Sequence, residues 1–133
     1  MVARHISVGR KGEILAQEYL ISRGYSVLQT NFRCSFGEID IICTKNDFIV
    51  FVEVRVRKKQ GIVAPGESLT KEKFNKLYKT ACYYLDRHKL WEKKCRFDFI
   101  GISFSKDSWS IEHVPNVWQG ESFCCSHTAW QPW

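Results

Sequence analysis

Three adjoining stretches decide the fold: Glu38-Ile-Asp-Ile-Ile-Cys43, Thr44-Lys-Asn-Asp47 and Phe48-Ile-Val-Phe-Val-Glu-Val-Arg-Val56. The outer two are rich in β-branched residues and the middle one has the composition of a turn, so the segment reads as a β-hairpin. With the turn at Asn46-Asp47, Ile42 falls opposite Phe51, Asp40 opposite Glu53, and Glu38 opposite Arg55. Directly opposed side chains share a face, with Cβ atoms about 5 Å apart. A loop longer by two residues keeps Asp40 and Glu53 on one face; an odd loop or a bulge separates them. The other face, carrying Ile39, Ile41, Cys43, Val50, Val52 and Val54, reads as core. The acidic face is apolar near the turn and charged away from it, which places the hairpin near the middle of a covered sheet.

Working outward, Leu15, Ala16, Tyr19 and Leu20 recur at helical spacing, predicting a helix over Gly12–Arg23 that ends in a left-handed cap at Gly24. Tyr25–Leu28 reads as a short strand and Asn31–Phe36 as loop. Arg57–Ser68 reads as a mobile loop. Leu69–His88 is a second helix, N-capped by Thr70, with Phe74, Leu77, Tyr78, Ala81 and Leu85 as its apolar stripe. Arg96–Phe104 and Trp109–Val114 read as two more strands. That order implies an α/β fold, with one mixed sheet and a helix on each face. The 133 residues fit one domain, expected over 1–117. Residues 118–133 read as a disordered or partner-binding tail; Cys124, Cys125 and His127 are too few for tetrahedral zinc.

The chain carries 20 Lys and Arg against 14 Asp and Glu, a net charge of +6. The surplus clusters at Arg55, Arg57, Lys58 and Lys59, at Lys71, Lys73, Lys76 and Lys79, and at Lys93, Lys94 and Arg96. Such clusters suit a polyanion, whose phosphates exchange counterions for Lys and Arg, and they equally suit a solvated basic surface. There is no apolar run of the roughly 20 residues a membrane span needs, and Met1–Arg10 lacks an apolar leader. The expectation is a cytoplasmic protein with no membrane partner. The six cysteines are then expected to be reduced thiols.

Two opposed carboxylates in a partly buried place repel, so one takes up a proton or a cation binds between them. Hard oxygen ligands at this spacing suit Mg²⁺ or Mn²⁺, which keep several waters and complete their shell with substrate phosphate. Pairing of Asp40 or Glu53 with Arg33, Arg55 or a helix terminus is the alternative. Glu13 lies at the edge of the first helix's inward stripe, where it is a third ligand or an acid favoured by the helix dipole. Asp98, between Phe97 and Phe99, reads as structural, bonded to backbone or to Arg96. Tyr25, Phe32 and Phe36 read as core before they read as base-stacking aromatics.

The chain also resembles the YraN family of small bacterial proteins. The matching features are Gly12-Glu13, Ala16 and Tyr19-Leu20, Gly24-Tyr25, Asn31-Phe-Arg33, Gly37-Glu-Ile-Asp-Ile-Ile42, Phe51-Val-Glu-Val-Arg55 with Arg57, Lys73, Ala81, Tyr84-Leu85 and Arg96-Phe-Asp98. The resemblance implies a restriction-endonuclease-like domain with an α-β-β-β-α-β core and kinship with the PD-(D/E)xK nucleases. It makes Asp40 the first motif acid, sets Glu53-Val-Arg55 where the superfamily has Glu-x-Lys, and makes Glu13 the helix acid of the metal shell. Arg55 departs from the pattern: arginine clamps phosphate and offsets charge but does not act as a base. Lys73 is the candidate substitute. The implied function is a Mg²⁺- or Mn²⁺-dependent endonuclease on DNA or branched nucleic acid, with Arg33, Arg57, Lys58, Lys59 and Lys76 gripping the backbone. The alternative is a non-catalytic nucleic-acid-binding or assembly module. A homodimer is an open expectation, since many nucleases of this fold cut as pairs.

Overall fold

A computed structural model describes residues 8–58 and 70–117. Helix α1 (Val8–Ser22) precedes a run of three strands, β1 (Ser26–Cys34), β2 (Gly37–Lys45) and β3 (Phe48–Lys58). Helix α2 (Lys71–Arg87) follows, then β4 (Lys94–Phe104) and β5 (Trp109–Val114). The strands form one sheet in the order β1-β2-β3-β4-β5. Neighbours are antiparallel except β3 and β4, which run parallel and in register from Phe48↔Lys94 to Lys58↔Phe104. This is the α-β-β-β-α-β core expected from the sequence, with β5 added at an edge.

Each sheet face is covered by one helix. Leu77, Ala81 and Leu85 of α2 pack with Ile42, Phe51 and Phe97, while Ala16 and Leu20 of α1 pack with Ile41, Val50, Val52 and Ile100. A sheet buried on both sides explains why β2 and β3 read as nearly continuous apolar runs. Thr70 caps α2, its side chain accepting the Lys73 N–H at 3.1 Å. Gly24 closes α1 with φ 91°, a conformation that glycine adopts without a Cβ penalty. Among the described residues, Cys34, Cys43, Cys82 and Cys95 are free thiols. No helix of the described residues is long and apolar enough to cross a membrane.

The sequence reading is corrected at three points. β1 runs on to Cys34, through the stretch read as loop, because an edge strand paired on one side only needs few apolar residues. Arg57 and Lys58 extend β3 rather than opening a loop; residues 59–69, and with them Lys59, lie outside the described residues, as does the 118–133 tail. Ile39, read as sharing one core face with Ile41, packs in the α2-side core, whereas Ile41 packs on the α1 side. Residues two apart on a regular strand share a face, so the pleat of β2 is interrupted at Asp40. Across from it, the β1 register passes from Thr30↔Ile41 to Phe32↔Ile39, and Asn31 between them has a positive φ of 53°.

A forked sheet holds the candidate acidic site

The β2–β3 hairpin has the register expected from its turn, with Ile42 opposite Phe51 and Ile41 opposite Val52. There the ladder stops. Beyond it β2 pairs only with β1 and β3 only with β4, so the sheet forks. Asp40 and Glu53 are the first residue on each prong.

The break reorients Asp40. Its Oδ2 accepts the backbone N–H of Val54 at 2.8 Å, which a regular ladder would give to a β2 carbonyl. A carboxylate on a strand amide lies at the level of the sheet, between its two faces. Glu53 keeps the alternation of β3: Ile49 and Phe51 are in the α2-side core, so Glu53 and Arg55 point to that side. Its side chain is 13% exposed.

Both carboxyls are displaced from their ordinary acidity. Burial pushes Asp40 up to about 6; the Val54 N–H and the Arg55 charge oppose that, and Glu13 and Glu38 add to it. Burial, followed by the Asp40 charge, pushes Glu53 up to about 7, against the pull of Arg55 and Lys73. A hydrogen bond between the two carboxyls also favours the protonated form of Glu53. Two desolvated acids this close titrate as a pair, and each disfavours the charged form of the other.

The surrounding residues fall out as follows. Arg55 Nη2 contacts Glu53 Oε2 at 2.9 Å, and Arg55 Nε is buried without a hydrogen-bond partner. Glu38 was expected opposite Arg55; it pairs with Arg33 at 3.4 Å, because the fork carries the two strands apart before that register is reached. That exposed pair contributes little stability. Lys73 is exposed on the first turn of α2 yet close enough to act on Glu53. Lys76 is exposed one turn on, beside Gly37: a Cβ there would lie 3.8 Å from the Lys76 carbonyl oxygen. Arg57 is half-buried on β3; Lys58 is placed by its backbone alone.

Glu13 is brought near by a close approach that sequence reasoning did not use. A Cβ on Gly12 would stand 2.1 Å from Val56 Cγ2, so only glycine lets the start of α1 lie this close to β3. Glu13 is half-buried and raises Asp40 through space. Among the described residues, no three His, Cys, Asp or Glu side chains gather at metal-ligand spacing. The donor set that remains, two adjoining desolvated carboxyls, fits Mg²⁺ or Mn²⁺, which bind one or two carboxylates and keep water in the other positions.

Asp98 is structural, as expected. It is fully buried on the α1 side and accepts from Arg96 Nε and the Asn116 N–H, each at 2.9 Å, with His113 Nε2 at 2.8 Å. Burial pushes its pKa up, but these three hydrogen bonds and the Arg96 charge outweigh burial and hold it below the ordinary value. Tyr25 and Phe32 are buried and Phe36 half-buried, so Tyr25 and Phe32 are core.

The profile of a family described as uncharacterised protein family UPF0102 matches residues 12–102. A UPF0102 protein of Lawsonia intracellularis is 39% identical over 127 residues, covering 95% of this chain and 96% of its own. One from Dehalococcoides mccartyi is 40% identical over 109 residues, covering 82% and 90%. A third, from Clostridium perfringens, is 43% identical over 106 residues, covering 80% and 87%. The matched span contains Glu13, Asp40, Glu53, Arg55 and Lys73, and the resemblance to the YraN proteins is borne out.

Proposed function

The chain belongs to the UPF0102 family, and from that premise we propose that it is a metal-dependent phosphodiesterase acting on nucleic acid, DNA or branched junctions in particular. The observation that carries this reading is the pair of adjoining, desolvated carboxyls at the fork of the sheet, pushed up to about 6 and about 7. Asp40 and Glu53 would hold the ion, and Glu13 would add negative charge from the α1 side. Mg²⁺ or Mn²⁺ bound there supplies a Lewis acid for the phosphate and lowers the pKa of a bound water.

The chain's own groups divide the remaining work. The Val54 amide fixes the orientation of Asp40 through its 2.8 Å hydrogen bond. Arg55 and Lys73 stand beside Glu53, where positive charge offsets the charge that builds on a phosphate under attack. Arg55 stays protonated, so it clamps and does not abstract a proton. Arg33, Arg57, Lys58 and Lys76 would hold the phosphate backbone, contacts that position a strand without reading its bases. Lys59 joins them by sequence alone.

The test is cleavage of branched, flapped, single-stranded and duplex substrates with Mn²⁺ or Mg²⁺. Activity that disappears with a chelator and in both Asp40→Asn and Glu53→Gln supports the reading. A second reading, a nucleic-acid-binding module without catalysis, is favoured by the guanidinium already lodged on Glu53. Salt-sensitive binding without cleavage of any substrate selects it.

A further inference from the structure

Arg55 occupies the place on Glu53 that a cation needs, with its Nη2 at 2.9 Å from Oε2. We propose that Arg55 and a divalent cation are alternative occupants of the Glu53 carboxylate, and that cation binding hands the Arg55 guanidinium to a phosphate of the bound nucleic acid. This deepens the metal-dependent reading of the acidic site and rests on it.

Three observations carry the exchange. First, the pairing leaves Arg55 unsatisfied: Nε is buried with no hydrogen-bond partner, although the guanidinium fork has donors on every edge. A phosphate, with its several acceptor oxygens, satisfies such a fork more completely than one carboxylate does. Second, Glu53 is only 13% exposed while Arg55 is 35% exposed. The carboxylate is therefore fixed in place and the guanidinium has an open side toward which to turn. Third, the Glu53 side is crowded with positive charge from both Arg55 and Lys73. A doubly charged ion on Glu53 is repelled by both, most strongly by Arg55, which is in direct contact with the carboxylate. Arginine cannot relieve the repulsion by losing its proton, so it relieves it by moving.

The exchange makes cation and nucleic acid help each other bind, and it does so through Arg55. Without the cation, Glu53 sequesters the phosphate clamp; without Arg55, the cation meets no competitor. Linkage makes the effect reciprocal.

Two quantities are measured on the full chain. Mn²⁺ affinity is read by titration calorimetry in the absence of nucleic acid. Affinity for a fluorescein-labelled branched DNA is read by anisotropy with Ca²⁺ and with chelator. Arg55→Gln is expected to bind Mn²⁺ about tenfold more tightly than the parent, within the range typical of coupled sites, and to lose the Ca²⁺-dependent gain in DNA affinity. Arg55→Lys, which keeps a competing cation, stays near the parent in Mn²⁺ affinity. Arg55→Met repeats the first measurement if Gln prevents folding. Equal or weaker Mn²⁺ binding in both neutral variants overturns the exchange and leaves the metal reading standing. No Mn²⁺ uptake by the parent or either neutral variant overturns both.

Discussion

The carboxylate of Asp40 bonds the backbone N–H of Val54 across the hairpin at 2.8 Å. One side chain thus closes the gap where the β2–β3 ladder ends and stands at the centre of the acidic site. The two roles separate by substitution. Asp40→Ala leaves the amide unpaired and is expected to cost about 1–3 kcal/mol, while Asp40→Asn keeps an acceptor and costs less. Urea denaturation of the two variants checks the difference, and equal losses would show that the hydrogen bond adds nothing.

Stability should depend on pH through the same pair. The folded values, about 6 for Asp40 and about 7 for Glu53, lie above the ordinary 3.8 and 4.5. A raised folded-state pKa means that the folded protein holds the proton more tightly than the unfolded chain. The resulting stabilisation is complete below the ordinary values and is lost as pH rises through the folded ones. With metal removed, the melting temperature should fall between roughly pH 4 and pH 7, relative to the Asp40→Asn, Glu53→Gln double variant. Mn²⁺ should reverse the fall at the upper end. A flat difference between the two proteins across that range contradicts the coupling.

Gly12→Ala should destabilise the protein by about 1–3 kcal/mol, the usual cost of forcing extra volume into a packed place. The added methyl meets Val56 Cγ2 at 2.1 Å, a side chain too short to step aside. Val56→Ala in the same chain should recover part of the loss, because it removes the atom in the way. Thermal melts of the single and double variants read the result.

Asp98→Ala should cost about 1–3 kcal/mol, by leaving the half-buried Arg96 and the Asn116 N–H without their acceptor. It lies on the opposite face from Glu53, so the salt dependence of nucleic-acid binding should stay as in the parent. Lys76→Ala should do the reverse: stability holds, and the salt slope falls by about one. Denaturation and binding titrations on both variants separate the two outcomes.

The hairpin was legible because its pattern is redundant. Two β-branched runs around an Asn-Asp turn give the register in which Ile42 lies opposite Phe51, and the structure has that pairing. The same pattern placed Asp40 and Glu53 together but said nothing of what happens beyond them. The reversal of Ile39 depends on a backbone break at Asp40 and on Asn31 in a left-handed conformation across from it, and hydrophobic alternation carries no trace of either. Arg55 was read against Glu38, its partner in an unbroken ladder; the fork leaves Glu53, two residues away on the same face, as the nearest acid. Thr70 and Gly24 were visible as caps because capping is local chemistry. The approach of Gly12 to Val56 is a long-range contact, and a small residue before an acid was its only sign.

The Asp98 cluster has a consequence for how the chain is made. Its contacts come from residues far apart in sequence: Tyr25 bonds Arg96, Tyr19 meets His113, and Asn116 supplies a backbone N–H to Asp98. During synthesis, a nascent chain that has emerged only through β4 holds this carboxylate with Arg96 alone. His113 of β5, which bonds Asp98 and meets Tyr19 of α1, and Asn116 beyond it complete the network only when the end of the sheet has been made. The buried charge network around Asp98 is therefore among the last parts of the sheet to close, after the β2–β3 hairpin that carries Asp40 and Glu53 already has all of its residues.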